Sequence, residues 1–309
     1  MSLMRDWQSL ESVQGGYATI GNFDGVHRGH QAMLNVLTSR ARAENVPAIA
    51  VTFDPHPIAL LRPDATPPVL TTIEHRAELL HRFGVDVALV LHTDRSLLAL
   101  TADEFFDSIV RNKLKARGLV EGPNFFFGRN RSGNITVLRT LCNDHGLSFD
   151  VAPPATVDEQ LVSSSVIRSL LETGQMGHAV RLLGHHYRIS GRVGTGAQRG
   201  RTIGFPTANI HPNDPYKLIP SHGVYAGIAS VENKRYKMVC NIGVRPTVDG
   251  DNLSIEAHLF DFNKNIYGEH ITLFLVQYLR NEQKFESVEA LKSQIFLDAQ
   301  QAQNLVSLD

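Results

Sequence analysis

The order of hydrophobic and polar positions divides the chain into two parts of different character. From residue 17 to about 152, short apolar runs alternate with stretches in which apolar residues recur at helical spacing. The runs predict buried strands over residues 17–21, 47–53, 85–91, 119–122 and 147–152, and the stretches predict helices over 31–43, 73–83 and 101–114. Such alternation predicts a mostly parallel sheet with helices on both faces, that is, an α/β fold. Two short helices are predicted at 164–172 and 178–183.

The pattern changes near Gly184, after which glycine and proline turns separate short alternating segments. These segments predict strands over residues 187–193, 223–231, 236–242, 254–260 and 270–279. Closely spaced strands with turns between them predict a small barrel or sandwich. Apolar residues at helical spacing over 288–305 predict a terminal helix packed on it. We therefore predict two domains, residues 1–184 and 185–309, with the boundary between 183 and 187.

Composition and charge exclude several classes of protein. Of the residues, 42% are hydrophobic and 20% are charged, and the net charge is -1. These values fit a globular protein and argue against a general nucleic-acid or anionic membrane surface. The 2 cysteines lie far apart, which argues against a disulfide framework or a cysteine zinc site. With no signal-peptide core and no long apolar run, we expect a cytoplasmic protein without a membrane partner, and a weak homo-oligomer stays open.

A glycine turn with two histidines, GNFDGVHRGH, follows the first predicted strand. Gly21 and Gly25 suit a tight turn, and Gly29 leaves room for a phosphate at the start of the next helix. His27 and His30 are three residues apart, so on a helix they face the same way and can donate hydrogen bonds to phosphate oxygens. The alternatives are a turn with two surface histidines or half of a metal site. Two histidines around a glycine at a strand-to-helix junction favour a phosphate site.

Serines at the start of the predicted helix 164–172 form a second candidate phosphate site. The hydroxyls and amides of Ser163 and Ser164 can cap the helix or bind phosphate. Arg168, one turn into the helix, adds a forked charged donor. Alone, this pattern is more typical of a capped, solvated helix. The serine segment follows the histidine segment along the same chain, and this combination favours phosphate binding.

A second glycine-rich stretch, residues 191–209, ends in a candidate metal motif. It lacks both the Gly-Lys-Ser/Thr end of a Walker A loop and the dinucleotide-binding glycine spacing. After Pro206, the oxygens of Thr207 and Asn209 lie two residues apart, on one face of an extended segment. Neutral oxygens together with ATP phosphates suit Mg²⁺. Glycine content alone is also typical of barrel turns.

These segments resemble two known families, in order along the chain. The residues Gly-x-Phe-Asp-Gly-x-His-x-Gly-His at 21–30 resemble the His-x-Gly-His signature of nucleotidyltransferases, in the form found in bacterial FAD synthetases. Segments similar to later motifs of that family are TFDPHP at 52–57, GPNFFFGRNRSGN at 122–134 and SSSVIR at 163–168. Segments that resemble riboflavin kinases are PTAN at 206–209, GVYA at 223–226, NIGVRPT at 241–247 and IEAHLFDF at 255–262.

The resemblance covers about residues 17 to 300 and implies a bifunctional riboflavin kinase/FMN adenylyltransferase. Its kinase domain would convert riboflavin and ATP into FMN and ADP. Its first domain would join FMN to AMP from a second ATP, release pyrophosphate and so form FAD. The implied fold is a Rossmann-like nucleotidyltransferase domain followed by a six-stranded barrel with a C-terminal helix. The implied cofactor is Mg²⁺, and the implied partners are the small-molecule substrates riboflavin, FMN and ATP.

The resemblance also implies roles for individual residues. The catalytic candidates are His27, His30 and Glu256, of which Glu256 would take the proton from the riboflavin 5′-hydroxyl. Residues implied to bind ATP or its phosphates are Gly21, Phe23, Asp24, Gly29, Ser163, Ser164, Arg168, Gly191 and Gly196. Implied flavin ligands are Asn124, Phe127 and Arg280, and implied metal ligands are Thr207 and Asn209. Without the resemblance, Glu256 would be interpreted as a solvated residue on an alternating strand.

Two other functions fit part of the sequence. His-x-Gly-His enzymes also adenylylate nicotinamide mononucleotide or phosphopantetheine, but the kinase-like second half argues against those acceptors. A flavin-binding regulator that has lost turnover would lack some of the candidate catalytic and metal residues. The chain has all five of them: His27, His30, Thr207, Asn209 and Glu256.

Overall fold

The computed structural model describes residues 2–5, 14–196, 200, 203–247 and 250–308, with the backbone alone at 2, 245–247 and 250–252. The chain folds into two compact units, Met1–Ser164 and Ser165–Asp309. Among the helices of these described ranges, none is both long and apolar enough to cross a bilayer.

The first unit contains a six-stranded sheet in which every paired strand runs parallel to its neighbour. Its strands are β1 (Ser2–Arg5), β2 (Tyr17–Ile20), β3 (Ala48–Asp54), β4 (Val87–His92), β5 (Gly118–Glu121) and β8 (Ser148–Val151). Two short hairpins lie outside this sheet. One joins β6 (Phe126–Phe127) to β7 (Gly133–Asn134), and the other joins β9 (Thr156–Val157) to β10 (Gln160–Leu161). Its helices are α1 (Arg28–Ala43), α2 (Pro57–Leu61), α3 (Ile73–Arg82), α4 (Arg95–Ala99), α5 (Ala102–Phe105), which continues as a π-helix over Phe106–Lys113, and α6 (Ile135–Asp144). Short 3₁₀ turns lie at Pro63–Ala65 and Arg129–Arg131.

Alternate residues of the sheet pack into two separate cores, one on each face. Ala50 and Ala88 pack with helices α1 and α3 on one face. Val51 and Leu89 pack with α5, its π-helical continuation and α6 on the other face. This arrangement follows from the two-residue period of a strand, which sends successive side chains to opposite faces.

The strand order β1-β4-β3-β2-β5-β8 reverses direction between β2 and β5. From β2 the chain moves to β3 and β4 on one side, whereas β5 and β8 lie on the other side. In open α/β sheets, ligands bind in the crevice at the carboxyl ends of the strands where the order reverses. The candidate histidine segment follows β2 directly, so it starts at this crevice.

The second unit is a closed antiparallel barrel with helices α7 (Ser164–Glu172), α8 (Met176–Leu183) and α9 (Val288–Leu305). Helix α7 begins at the last residue of the first unit. The barrel order is β11 (Tyr187–Gly194), β12 (Ala208–Pro212), β15 (Gly250–Leu259), β14 (Lys234–Thr247), β13 (Gly223–Val231) and β16 (His270–Arg280). Small residues of α9, Ala299 and Ala302, pack against Val224 and Val239 of the barrel wall.

The predicted fold class is confirmed: a parallel α/β sheet, a closed six-stranded barrel and a C-terminal helix. The pattern missed β1, because this short edge strand precedes the alternating region. It also missed β12, whose sequence ANIHP shows no clear alternation. The domain boundary between 183 and 187 stays a prediction. The compact units divide earlier, because α8 packs against β16 and β11.

Candidate active sites

The loop between β2 and α1 has an unusual backbone. Gly21 donates its N–H to Val51 O of the neighbouring strand at 2.9 Å, which continues the sheet by one bond. Phe23, Gly25 and Val26 then take φ angles of 48°, 83° and 38°, in the left-handed region. Side chains other than glycine rarely adopt such angles, and they cluster at functional sites where the surroundings hold them. The loop is therefore held in a strained, specific shape.

Asp24 holds this loop from within. Its buried carboxylate accepts hydrogen bonds from the N–H of Leu70 at 2.9 Å and from the N–H and hydroxyl of Thr71 at 2.9 and 3.0 Å. The guanidinium of Arg76 lies 3.4 Å away. A carboxylate with this many internal donors is tied to the protein. Its contact with ATP stays a prediction, and its observed contacts shape the loop.

His27 and His30 lie together at the start of α1. His27 is the N-cap of the helix, and its Nδ1 accepts the N–H of His30 at 3.3 Å. The two rings stack with centroids 3.7 Å apart, and the Phe23 ring meets His30 edge-on at 5.2 Å. A Cβ at Gly29 would lie 3.1 Å from the His27 ring, so a side chain there would press on it. The sequence predicted the two rings on one face, and the structure adds that one caps the helix.

His30 is held neutral. Burial lowers the pKa of its imidazole well below the usual value, and the nearby His27 and Arg76 lower it further. Its Nδ1 is buried without a hydrogen-bond partner. Since an orphaned buried N–H is rarer than an orphaned acceptor, this favours the proton on Nε2. A neutral Nε2–H at a helix N-terminus is a suitable donor to a phosphate oxygen.

The predicted serine site lies beside this loop. Ser164 donates its hydroxyl to the carbonyl of Asp24 at 2.9 Å. The carbonyl of Val162 would lie 3.5 Å from a Cβ at Gly29. Ser163 is half-buried next to them. Arg168, also half-buried, lies one turn into α7 and belongs to the second compact unit.

The predicted flavin ligands of the first unit have different surroundings. Asn124 is exposed, and its contact with flavin stays a prediction. Phe127 is buried, with its ring 5.8 Å from Phe105 and 5.5 Å from Phe125. The neighbouring Phe126 is 45% exposed and lies under the Arg131 guanidinium at 4.3 Å. Sequence analysis missed Phe126, although strand alternation predicts that one of two adjacent phenylalanines faces outward.

Glu121 is a buried acid that sequence analysis also missed. It is 1% exposed at the end of β5, and its Oε1 accepts the N–H of Ile20 at 2.8 Å. Burial raises the pKa of this carboxyl well above its usual value, although the hydrogen bonds from Ile20 and Thr19 act in the opposite direction. The β2–β5 register pairs Tyr17 with Gly118 and Ala18 with Leu119. The Glu121 side chain therefore bridges the two strands where that pairing stops.

In the second unit, the candidate metal motif lies against the candidate catalytic base. Asn209 of β12 pairs with Glu256 of β15. The hydroxyl of Thr207 donates to Glu256 Oε2 at 3.1 Å, and the hydroxyl of Ser254 donates to Oε1 at 3.1 Å. Glu256 is half-buried rather than solvated. Both of its oxygens are therefore oriented by hydroxyl groups.

Two cavities meet at Thr207. One, of about 330 Å³, includes Thr207, Glu256, Asn241 and Arg280 in its walls. The other, of about 500 Å³, lies between Thr207 and the segment from Phe262 to Tyr267. Thr207 is therefore at a place where a group could pass from a ligand in one cavity to a ligand in the other.

Arg280 forms part of the smaller cavity but is held by the protein. Its Nε lies 3.0 Å from Asp298 Oδ1, and its Nη2 lies 2.7 Å from Asp298 Oδ2. Asp298 is buried in helix α9 and also accepts the side-chain N–H of Gln294 at 2.9 Å. A forked pair of this kind fixes the guanidinium plane. The cavity wall is thereby joined to the terminal helix.

The glycine-rich stretch is described only in part, because residues 197–199 and 201–202 lie outside the described residues. Gly191 lies inside the barrel ladder, where a Cβ would overlap the carbonyl of His211. At Gly196 a Cβ would overlap the side chain of Asn209. Close packing accounts for both glycines, and Gly196 brings the loop next to the metal motif. Their contact with ATP stays a prediction.

The oxygen atoms around Thr207 suit a hard metal ion that is also bound by water and by substrate phosphates. Nowhere in the described part of the chain do three or more His, Cys, Asp or Glu side chains converge as a metal cage. The Thr207 hydroxyl and Asn209 amide, with Glu256 adjacent, offer oxygen. Mg²⁺ prefers oxygen, keeps several waters and is commonly bound through one or two protein groups plus substrate phosphates. The residues therefore fit Mg²⁺ bound together with ATP.

Comparison with known proteins gives a family for each part of the chain. Residues 9–166 match the FAD synthetase family and residues 183–306 match the riboflavin kinase family. The chain is 38% identical to the bifunctional riboflavin kinase/FMN adenylyltransferase of Escherichia coli K12, over 100% of this chain and 99% of that protein. It is 35% identical to the Bacillus subtilis protein of that name, over 92% and 90% of the two chains. A crystal structure from Streptococcus pneumoniae, described as a macrolide-efflux protein, has the same fold with a TM-score of 0.91 at 28% identity, covering 98% of this chain and 99% of that one.

Proposed function

The chain belongs to the family of bifunctional riboflavin kinase/FMN adenylyltransferases, and we propose how its residues divide the two reactions between two sites. The enzyme phosphorylates riboflavin to FMN with one ATP and adenylylates FMN to FAD with a second ATP, releasing pyrophosphate. We assign the adenylyl transfer to residues 1–184 and the phosphorylation to residues 185–309. The two family matches, in that order along the chain, support this assignment.

For the kinase, each substrate takes one of the two cavities that meet at Thr207. Riboflavin enters the smaller cavity, so that its 5′-hydroxyl comes near Glu256. ATP enters the larger one. Glu256 accepts the hydroxyl proton as the oxygen attacks the γ-phosphorus, and ADP leaves. Thr207 and Asn209 would hold Mg²⁺, which neutralises charge on the ATP phosphates when it is bound.

For the adenylyl transfer, the FMN phosphate attacks the α-phosphorus of ATP and pyrophosphate leaves. This reaction needs no covalent intermediate on the enzyme. His27 and His30 donate hydrogen bonds to phosphate oxygens as charge develops, and Gly29 leaves room for the phosphate at the start of α1. Ser163 and Ser164 bind the same phosphates. Asp24 acts by holding the loop in place.

The observation that supports the kinase assignment is that Thr207 lines both cavities and donates a hydrogen bond to Glu256, which lines the smaller one. The test is to incubate the purified protein with riboflavin, ATP and Mg²⁺ and to separate the flavins by chromatography. FMN should appear first and FAD later, with ADP and pyrophosphate as the other products. With FMN supplied directly, FAD should form without ADP. Accumulation of neither flavin product would refute the proposal.

A further inference from the structure

His258 holds the backbone immediately before the metal motif. Its Nδ1 lies 2.8 Å from the carbonyl oxygen of Pro206. Since a carbonyl oxygen can only accept, Nδ1 must carry the proton and donate. This contact joins strand β15 to the segment that contains Thr207.

Strand pairing alone does not hold this segment. The β12–β15 register pairs Ala208 with Ala257 and Asn209 with Glu256. One step further, the same register would bring Thr207 opposite His258. Pro206 has no N–H with which to extend a ladder. Among the described residues, the side chains of His258 and Glu256 join Pro206 and Thr207 to β15.

The His258 ring packs against two phenylalanine rings. It meets the Phe205 ring edge-on at 5.4 Å and the Phe260 ring at 5.6 Å. It also lines the smaller cavity together with Glu256, two residues earlier on the same strand. Alternate residues of a strand share a face, so the proposed base and this imidazole project the same way. The direction of the Nδ1–H bond is consequently set by packing.

We propose that His258 is a positioning residue of the kinase reaction, which fixes the Pro206 carbonyl so that Thr207 and Asn209 present their oxygens to the metal–ATP complex. In this role it acts through the Pro206 carbonyl and not on the reacting atoms or the metal. This inference rests on the proposed metal role of Thr207 and Asn209. Precise placement by supporting hydrogen bonds is the usual way in which metal ligands are oriented.

Two substitutions separate the hydrogen bond from the packing. His258→Phe keeps an aromatic ring between Phe205 and Phe260 but removes the donor. His258→Asn removes the ring but keeps an amide N–H close to the position of Nδ1. The readouts are the Mg²⁺ concentration for half-maximal riboflavin phosphorylation and the separate values of kcat and KM for ATP. FAD formation from added FMN, in the same protein, is the control for folding.

We expect His258→Phe to raise the Mg²⁺ concentration for half-maximal phosphorylation about two- to tenfold, which is the effect of one lost hydrogen bond. In His258→Asn, which keeps a donor, this concentration should stay close to that of the unmodified enzyme. FAD formation should stay unchanged in both variants. The reverse order, an impaired Asn variant with a normal Phe variant, would overturn the proposal in favour of packing, and so would a normal Mg²⁺ requirement in both. Thr207→Ala, measured alongside, tests the metal role itself. If it leaves the requirement unchanged, that role and the one for His258 both fail. If only Thr207→Ala raises it, only the proposal for His258 fails.

Discussion

His27 has two separable tasks in this structure, and replacing it by two different residues should distinguish them. Its Nδ1 caps helix α1 by accepting the N–H of His30, and its ring stacks on His30 at the proposed phosphate site. Alanine removes the cap and the ring together. Asparagine is among the best N-cap residues, so it keeps an acceptor for the His30 N–H while removing the imidazole.

The two variants should differ in stability but not in catalysis. Losing the cap costs about 1 kcal/mol, so His27→Ala should unfold at a lower temperature than His27→Asn. Losing one donor to charge that develops in the transition state costs about 10²–10³ in turnover, and both variants lack that donor. The loss should appear in kcat for FAD formation more than in KM for ATP, because the donor acts mainly on the transition state.

The assay measures FAD formation from FMN and ATP under saturating conditions, with riboflavin phosphorylation by the same preparation as the control. Phosphorylation should be unaffected, since the barrel residues proposed for it are intact. Full FAD-forming turnover in His27→Asn would refute the catalytic role of this histidine and leave only its capping role. A rise in KM for ATP with a normal kcat would show that His27 contributes to ground-state binding of ATP and not to catalysis. A His27→Ala, His30→Ala double variant with full activity would refute the nucleotidyltransferase site altogether.

The remaining predictions concern the kinase residues and the buried acid. Glu256→Gln should slow FMN formation by about 10²–10⁴ and leave FAD formation from added FMN intact; equal loss of both activities in a folded variant would contradict a two-site enzyme. Thr207→Ala and Asn209→Ala should each raise the Mg²⁺ concentration needed for phosphorylation, whereas Thr207→Ser, which keeps the hydroxyl, should stay close to the unmodified enzyme. For Glu121 the folded-state pKa is raised, so its contribution to stability is complete below the unfolded pKa and is lost as the pH rises towards the folded pKa. Glu121→Gln keeps an acceptor for the Ile20 N–H but cannot ionise. Its free energy of unfolding should therefore rise relative to that of the unmodified protein, by up to about 1.4 kcal/mol per pH unit above about pH 4.3. Unfolding at pH 5 and at pH 8 measures this, and the same difference in free energy at both pH values would contradict a buried neutral acid.

Local pattern was sufficient for most of the fold. The two-residue and helical periods identify strands and helices because burial of one face imposes them, and strand–helix alternation leaves a parallel sheet as the natural arrangement. The terminal helix over 288–305 was predicted with the bounds that the structure gives it. Short elements without a clear period were not predictable, and ANIHP of β12 is recognisable as a strand only from its partners β11 and β15.

The functional sites depended on motif resemblance for their location and on the structure for their contacts. His27 and His30 could be expected to share a helix face, but the cap and the ring stack require the loop geometry before α1. The hydrogen bonds to the Asp24 carboxylate described above come from residues 70–76, which no local spacing connects to it. Glu121 ends an apolar strand and would be taken as exposed from sequence, whereas its burial follows from the order of strands in the sheet. Contacts of this kind are tertiary, and a single sequence contains no periodic signal for them.

The two proposed phosphate-transfer sites depend on different interactions. A substitution in one site is therefore expected to have little effect on the activity of the other. The first relies on a helix N-terminus and on imidazole donors aimed at phosphate oxygens. The second relies on oxygens held against a strand by side-chain hydrogen bonds. Among the described residues, the hydrogen bonds given above for the first site join residues of Met1–Ser164, and those around Thr207 and Glu256 join residues of Ser165–Asp309. Since energetic coupling between substitutions falls off when they share no contacts, changes in one site should leave the other activity nearly intact.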